Sequence, residues 1–484
     1  MFEFSIFILF PLITAGLCYF VKDLRIQYGV SLVVALLHLV LSLLVFLGIY
    51  HTQLPTFFSV DSLSRLFLLI LSNVYLWVVL VSFSYLKKPV MPKAEEGKKY
   101  YFSLINFYLT ANSAAMLSSH FGMYWVASEA TTLSVAPLIY FYRNEESLEA
   151  MWKYLFLVSV GIAFAFIGIL LLTLSAKGTV LEGQQLFFWD FIRNAAKLNP
   201  IWLKASFIFI FVGLSTKIGI APMHSGDIDA TSNAPSPIAA LMSGSLRLTA
   251  LLGVMRIFEI VRPTSSYEFA RILLIIGALL SLFVAFVFMF KVNNYKRMLA
   301  YSSVEHLGLI TLGLGVGGLA FVGAIYHAVY NSITKVILFL MAGNIHRNYK
   351  SREVDKVRSV LNIMPKTGWI FLIAFLAISG IPPFGIFFSE IKIFEGILFS
   401  DKPYLLALVM FFLLFIFINM GKIIFAMLYK KGEDESQSVE LEKLGATHYV
   451  SIILLVLLAV IAVASPDILY RNIINIAKDF GINL

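Results

Sequence analysis

Cysteine, charge and glycine-rich phosphate motifs are all scarce in this sequence, and each scarcity closes off a class of chemistry. One of the 484 residues is a cysteine, Cys18, which excludes an internal disulfide, a thiolate zinc site and an iron–sulfur cluster. No GxxxxGK(S/T) loop occurs and no dinucleotide fingerprint follows a strand, so the chain is expected to hold no nucleotide, redox cofactor or metal of its own. Charged residues make up 13% against 60% hydrophobic ones, and the mean hydropathy is +0.87. That balance belongs to a polytopic membrane protein. Long continuous apolar runs, with none of the short alternating segments of a membrane barrel, make it all-α. The net charge of +9 fits basic loops on the cytoplasmic side of a membrane and does not call for nucleic acid. The start, Met-Phe-Glu-Phe, lacks the basic region of a cleaved signal, so the first apolar run is expected to be a retained span.

At about 20 residues per span, about fourteen transmembrane helices are predicted. They lie at roughly 2–21, 27–49, 62–86, 100–119, 121–142, 152–175, 202–223, 237–258, 270–291, 297–316, 319–343, 367–398, 404–429 and 447–466. Span seven is expected to split just before Pro222, and span twelve at Gly380-Ile-Pro-Pro-Phe-Gly385, around Pro382 and Pro383. Proline removes a backbone donor, and lipid cannot solvate the carbonyl this frees. A broken helix therefore survives only inside protein or beside water, and such helices mark ion or substrate sites in transporters. The two breaks are five spans apart, which implies two five-helix units; five being odd, the second is inverted. The expected units are an N-terminal three-helix segment 1–99, repeats 100–258 and 259–430, and a C-terminal helix with a short tail 431–484. With the N-terminus outside, the inside loops carry 21 of the 37 basic residues, Lys88, Lys93, Arg347 and Arg352 among them, and the outside loops and tail carry nine. The positive-inside rule then places both termini outside.

An ionised side chain at the bilayer centre costs roughly 2.5–3.5 kcal/mol, yet Glu129, Lys153, Lys217, Arg247, Glu305, His306, His327, Lys335 and Glu390 fall within or at the ends of apolar runs. Acids and bases alternate, and joined by water they form a file that passes protons laterally. Each also has a quieter reading. Glu129 with Lys153 or Lys217 is an interhelical pair, Glu305 and His306 a satisfied pair near a helix end, and His327 a hydrogen-bonded core histidine. Lys392, Glu395 and Lys422 read as structural. At the first break, His224 accompanies Asp227 and Asp229, whose carboxylates either ligate a cation or, more simply, cap the next half-helix.

Lys217 with Ala221-Pro-Met-His224, Asp229-Ala230 and Ala234-Pro-Ser-Pro-Ile-Ala-Ala-Leu-Met-Ser-Gly244 resembles the signature of the antiporter-like proton-channel family. That family comprises large membrane subunits of respiratory complex I, D-type subunits of multisubunit Na⁺/H⁺ antiporters and corresponding subunits of membrane-bound hydrogenases. Trp125-Val-Ala-Ser-Glu129, Lys296-Arg-Met-Leu-Ala-Tyr-Ser-Ser303, His327 with Lys335-Val-Ile-Leu-Phe-Leu340, and Gly380-Ile-Pro-Pro-Phe-Gly-Ile-Phe-Phe-Ser-Glu390 extend it over spans five to twelve. Glu129-Ala-Thr-Thr-Leu133 and the ending in Ser-Glu390 are most similar to the hydrogenase-4 component F type.

The resemblance implies fourteen helices with two inverted repeats and both termini outside. It makes Glu129 the span-five carboxylate and Lys217 the lysine of the broken seventh helix. His306, His327 and Lys335 form a central hydrophilic axis, and Glu390 is the ionisable group of the broken twelfth. It also implies a prokaryotic cell membrane, other membrane subunits including further antiporter-like ones, and a peripheral redox arm bearing iron–sulfur clusters and nickel–iron. Protons, or Na⁺, are the transported ions. A Na⁺/H⁺ antiporter subunit and a non-pumping structural subunit are the alternatives. Arg247 stands where relatives have Lys or His, and arginine, always protonated, serves better as a fixed counter-charge to Glu129 or Asp229 than as a relay. Gly226, Ile228 and Thr231 replace the usual tryptophan, proline and histidine, and no long lateral helix follows span fourteen.

Overall fold

The computed structural model describes residues 2–50, 54–87, 94–430 and 442–482, so Lys88, Lys93 and the expected boundary at 431 lie outside the described residues. Among the described residues ten helices are long and apolar enough to cross a membrane. They are span two, Leu24–Phe46; three, Ser62–Lys87; six, Glu145–Ser175; seven, Pro200–Ile218; eight, Ser236–Val261; nine, Tyr267–Met289; ten, Tyr295–Val316; eleven, Gly318–Tyr349; thirteen, Leu405–Tyr429; and fourteen, Ala446–Ala464. The other four of the fourteen are Ser5–Phe20, Ala94–Leu117, Phe121–Ile139 and span twelve, whose halves are Pro365–Ile378 and Gly385–Leu398. The amphipathic helix Asp467–Asp479 follows.

Local chemistry sets the helix ends. Asp23, Asn199 and Asn294 accept backbone N–H groups from the first turns of spans two, seven and ten, and Asn144 forms a capping box with Ser147 on span six; each satisfies donors that the helix itself cannot. The His120 ring does the same for span five. Both termini sit at one face. Phe4 packs on Phe58 at 5.3 Å, Phe58 bridges to Ser118, and the Gly481 carbonyl accepts from Arg262 at 2.8 Å. The opposite face holds Asn144, Asn294 and Arg352.

Helices sort by contact with lipid. Spans two, six, nine, thirteen and fourteen leave more than half of their apolar length facing outward, whereas spans eight, ten and eleven are buried throughout. Those three carry Arg247, Glu305, His306, His327 and Lys335, so the costly side chains are sheathed by protein. Close backbone approach tightens the sheath. A Cβ on Gly161 or Gly168 of span six would collide with Thr216 or Ile210 of span seven, and one on Gly323 with Ile393 of span twelve. Small residues at such crossings are how helices associate in lipid.

Span seven differs from its sequence outline. The first half stops at Ile218, where Gly219 takes φ 86° and its N–H caps Ser215. An irregular stretch follows, pinned to span nine where the Ala221 N–H donates to Ser281 Oγ at 3.0 Å. Ser225–Asn233, expected as a loop, is a second half-helix. Its polar composition hides it from an apolar-run reading; its buried face is made by Asp227, Ile228, Ala230 and Thr231.

Candidate functional site

Two of the buried lysines, Lys217 and Lys335, are seated in the same way. Lys217, at the end of the first half of span seven, donates to the Ser128 carbonyl and Thr131 Oγ1 of span five, and to Thr132 Oγ1 at 3.1 Å. The Thr131 hydroxyl itself donates to the Ser128 carbonyl at 2.8 Å. On span eleven, Lys335 donates to the Leu299 carbonyl at 3.1 Å and to Ser302 Oγ of span ten, while Ser302 donates to Leu299 at 3.1 Å. An ammonium, a carbonyl at position i and a hydroxyl at i+3 thus make a triangle twice, on spans five and ten. These occupy equivalent places in the two repeats. Both lysines are fully buried.

Glu129 reaches the first triangle's surroundings without a direct ion pair. Its Oε1 accepts from Ser159 at 2.8 Å, and its Oε2 has no partner among the described residues. Neither Lys217 nor Lys153 bonds it, contrary to the interhelical pair expected. Lys153 is half-exposed, about two turns into span six, bonding Glu149 at 2.5 Å and Asp229 at 3.5 Å. It lines an open cavity of about 360 Å³ with Glu146, Asp229, Arg297 and Arg352. It belongs to the membrane face, because span six starts at Glu145, earlier than its apolar run suggests.

Arg247 is a buried counter-charge, but to neither partner expected. Its Nη2 lies 2.5 Å from Asp227 Oδ2, both side chains being 1% exposed, and 3.1 Å from Thr231 Oγ1. Asp227 therefore spends its carboxylate on Arg247 and does not cap its helix. Asp229 pairs with Arg297 at 3.0 Å as well as Lys153. Thr231, in the place of the usual histidine, is the second acceptor for Arg247. His224 stands apart, packed edge-on to Phe288 at 6.3 Å, with its Nδ1 unpartnered.

In the second repeat His306 Nδ1 meets His327 Nε2 at 2.9 Å, and His327 Nδ1 meets Ser389 Oγ at 3.0 Å. Glu390 folds toward the second break, where its carboxylate would strike a Cβ on Gly380, a residue at φ 67°. A cavity of about 40 Å³ joins Glu305, His306, Ser379 and Glu390. Pro382 and Pro383 lie in that break; Pro222 lies in the first. The quieter reading of Glu305 and His306 as a satisfied pair does not hold, because His306 pairs with His327.

The Ser128 Oγ, Glu129 Oε2, Tyr154 OH, Asp227 Oδ1, Arg247 Nε and Nη1, Ser243 Oγ and Asn331 Oδ1 are buried without a partner among the described residues.

Sequence reasoning passed over two buried bases. Lys296, quoted only as part of a motif, is fully buried and donates to the Ala234 carbonyl at 2.5 Å, where the second half of span seven ends. Arg256 pairs with Asp61 at 2.5 Å and Glu259 at 3.4 Å near the terminal face. The signal for Lys296 was the Pro235 that follows Ala234, which marks a helix end with free carbonyls. Ser128 and Tyr154 carried no signal, being ordinary in a helix.

Such a file of sheathed, mutually charged groups between two broken helices defines an antiporter-like ion-translocating membrane subunit. Residues 118–418 match the family described as NADH:quinone oxidoreductase/Mrp antiporter, transmembrane, and the chain belongs to it. It is 33% identical over 406 residues to a hydrogenase-4 component F homolog of Methylacidiphilum infernorum, covering 83% of this chain and 84% of that one. Its fold resembles a chain of the membrane-bound sulfane sulfur reductase, an archaeal respiratory complex, with TM-score 0.87, 23% identity and coverage of 99% and 97%. It also resembles a chain of the Mrp complex from Dietzia sp. DQ12-45-1b, with TM-score 0.85, 16% identity and coverage of 99% and 98%.

Proposed function

We propose that this chain conducts protons within a membrane-bound oxidoreductase complex of the hydrogenase type. The observation that carries the reading is the pair of fully buried lysines, Lys217 and Lys335, each held inside the bundle by a backbone carbonyl and a hydroxyl. Glu129 and Lys217 form the first relay. The Asp227–Arg247 pair supplies a fixed field, and Lys335, Glu305, His306, His327 and Glu390 complete the route. Lys153 and Asp229, at the polar cavity on the face opposite the termini, gather ions from solution. The similarity to a hydrogenase-4 component F homolog favours partners that carry the electron chemistry: a peripheral arm with iron–sulfur clusters and nickel–iron, together with further antiporter-like subunits. The membrane is that of a prokaryotic cell, and the excess of basic residues in alternate loops favours both termini outside.

Lys217→Met in the intact complex, reconstituted in vesicles, tests this. The expected result is loss of proton uptake with electron transfer retained. Unchanged coupling between the two would overturn the reading.

A further inference from the structure

We infer that His306, His327 and Glu390 form a site for a divalent transition-metal ion, with Zn²⁺ as the probe. One ligand atom from each lies within 4.8 Å of the others, and the facing ring nitrogens are already 2.9 Å apart. Zinc bonds imidazole nitrogen at about 2.0–2.1 Å and carboxylate oxygen at about 2.0–2.2 Å in a tetrahedron, which sets neighbouring ligands about 3.3 Å apart. The rings then open by a few tenths of an ångström and the carboxylate swings inward. No helix has to move.

Three further observations point the same way. Ser389 donates its own proton to the Ile386 carbonyl at 2.8 Å, so its oxygen accepts from His327 Nδ1–H. That bond fixes the His327 tautomer and leaves Nε2 as a lone pair aimed at the centre of the site, the outer-shell arrangement typical of metal-bound histidine. The adjoining cavity of about 40 Å³, with Glu305 and Ser379 on its wall, has room for a water molecule as fourth ligand. Glu305, on the wall of the same cavity as Glu390, puts a second acidic side chain beside the ion. On binding, the ion takes the place of the proton between the rings, which moves to His306 Nε2. Two imidazoles select zinc, copper or nickel over Mg²⁺ and Ca²⁺, which require shells of oxygen. The metal occupies the atoms that the proton route uses, so a loaded site is a plugged one; that consequence, unlike the binding itself, rests on the function proposed above.

The test uses the purified full chain in lipid nanodiscs, Zn²⁺ alone and X-ray absorption at the zinc edge. One ion per chain is expected, with two imidazole nitrogens and oxygen in its shell, unmoved by a large excess of Mg²⁺. His327→Gln and Glu390→Gln should each weaken binding by about 100-fold or more, beyond the effect of losing an outer-shell partner. An all-oxygen shell, or affinity unchanged in both variants, overturns the site; if a variant does not fold, the spectrum of the unsubstituted chain still decides. Binding with the stated shell alongside undisturbed proton uptake in vesicles of the complex would keep the site and discard the pathway, so the two failures are separable.

Discussion

Removing Asp227 should cost this protein more than removing any other acid in it. Its Oδ2 is the carboxylate that Arg247 bonds at 2.5 Å, with Thr231 Oγ1 as the guanidinium's other acceptor, and both ionic side chains are sealed from solvent. Breaking a buried pair by taking one partner leaves an uncompensated charge and costs about 3–5 kcal/mol. Arg247 cannot escape by losing its proton. Asp227→Leu is therefore expected to raise the equilibrium constant for opening by about 140- to 3,700-fold, at about 1.4 kcal/mol per factor of ten. Asp227→Leu with Arg247→Met should recover most of the loss, because it removes both ions from the apolar interior together. Cys18 supplies the assay: it is the sole thiol and is buried against Gln27 and Ser31, so its rate of labelling by a fluorogenic thiol reagent in detergent reports opening. Equal labelling of the single variant and the unsubstituted protein would refute the reasoning, as would a double variant no more stable than the single one. The first result would mean that the pair contributes nothing, the second that the carboxylate acts through something other than Arg247.

Thr131→Val keeps side-chain volume but removes one acceptor from Lys217, a change worth about 1.5–3 kcal/mol for a charged hydrogen bond; proton uptake by the complex should fall about tenfold or more, and an unchanged rate would mean that the hydroxyl does not hold the ammonium. The loop entering span fourteen is predicted to loosen in acid. Burial raises the pKa of Glu442, but hydrogen bonds from His448, the Thr367 side chain and the Thr367 backbone outweigh it and hold the carboxyl below its ordinary value of 4.5. A depressed folded value means stability that is present above 4.5 and lost as pH falls through the folded value. The Lys366 and Thr367 N–H groups, which donate to Glu442 at 2.8 and 3.2 Å, should thus lose hydrogen-exchange protection as the pH falls below 4.5 and through the lower folded value, after correction for intrinsic exchange; protection that does not weaken at any acid pH would contradict this.

Apolar length and helix breakers made the fourteen spans legible, together with the approximate places of both breaks. The half-helix Ser225–Asn233 was not legible, because its stabilising contacts are polar and tertiary and leave no apolar periodicity. For the site, the residue types on separate spans announced Lys217, Lys335 and the histidines. Partner choice was hidden. Asp227 and Asp229 are two residues apart and chemically identical, and only the packing of span eight sends one to Arg247 while the other faces Lys153 and Arg297. The depth of Lys153 was misjudged for a related reason: a charged first turn, Glu145 and Glu146, continues the helix beyond the apolar run that marks a span.

An ammonium has three hydrogens to give, whereas a neutral amine has two and a lone pair. Lys217 faces one carbonyl and two threonine hydroxyls, so handing on its proton leaves it one donor short and one acceptor in excess. Thr131 can answer by turning its hydroxyl away from the Ser128 carbonyl and toward the amine nitrogen, which frees that carbonyl for the next water. Ser302 stands ready to do likewise for Lys335. The pivot of one hydroxyl thus converts the departure of a proton into a change in what the helix backbone offers its surroundings, without moving a helix.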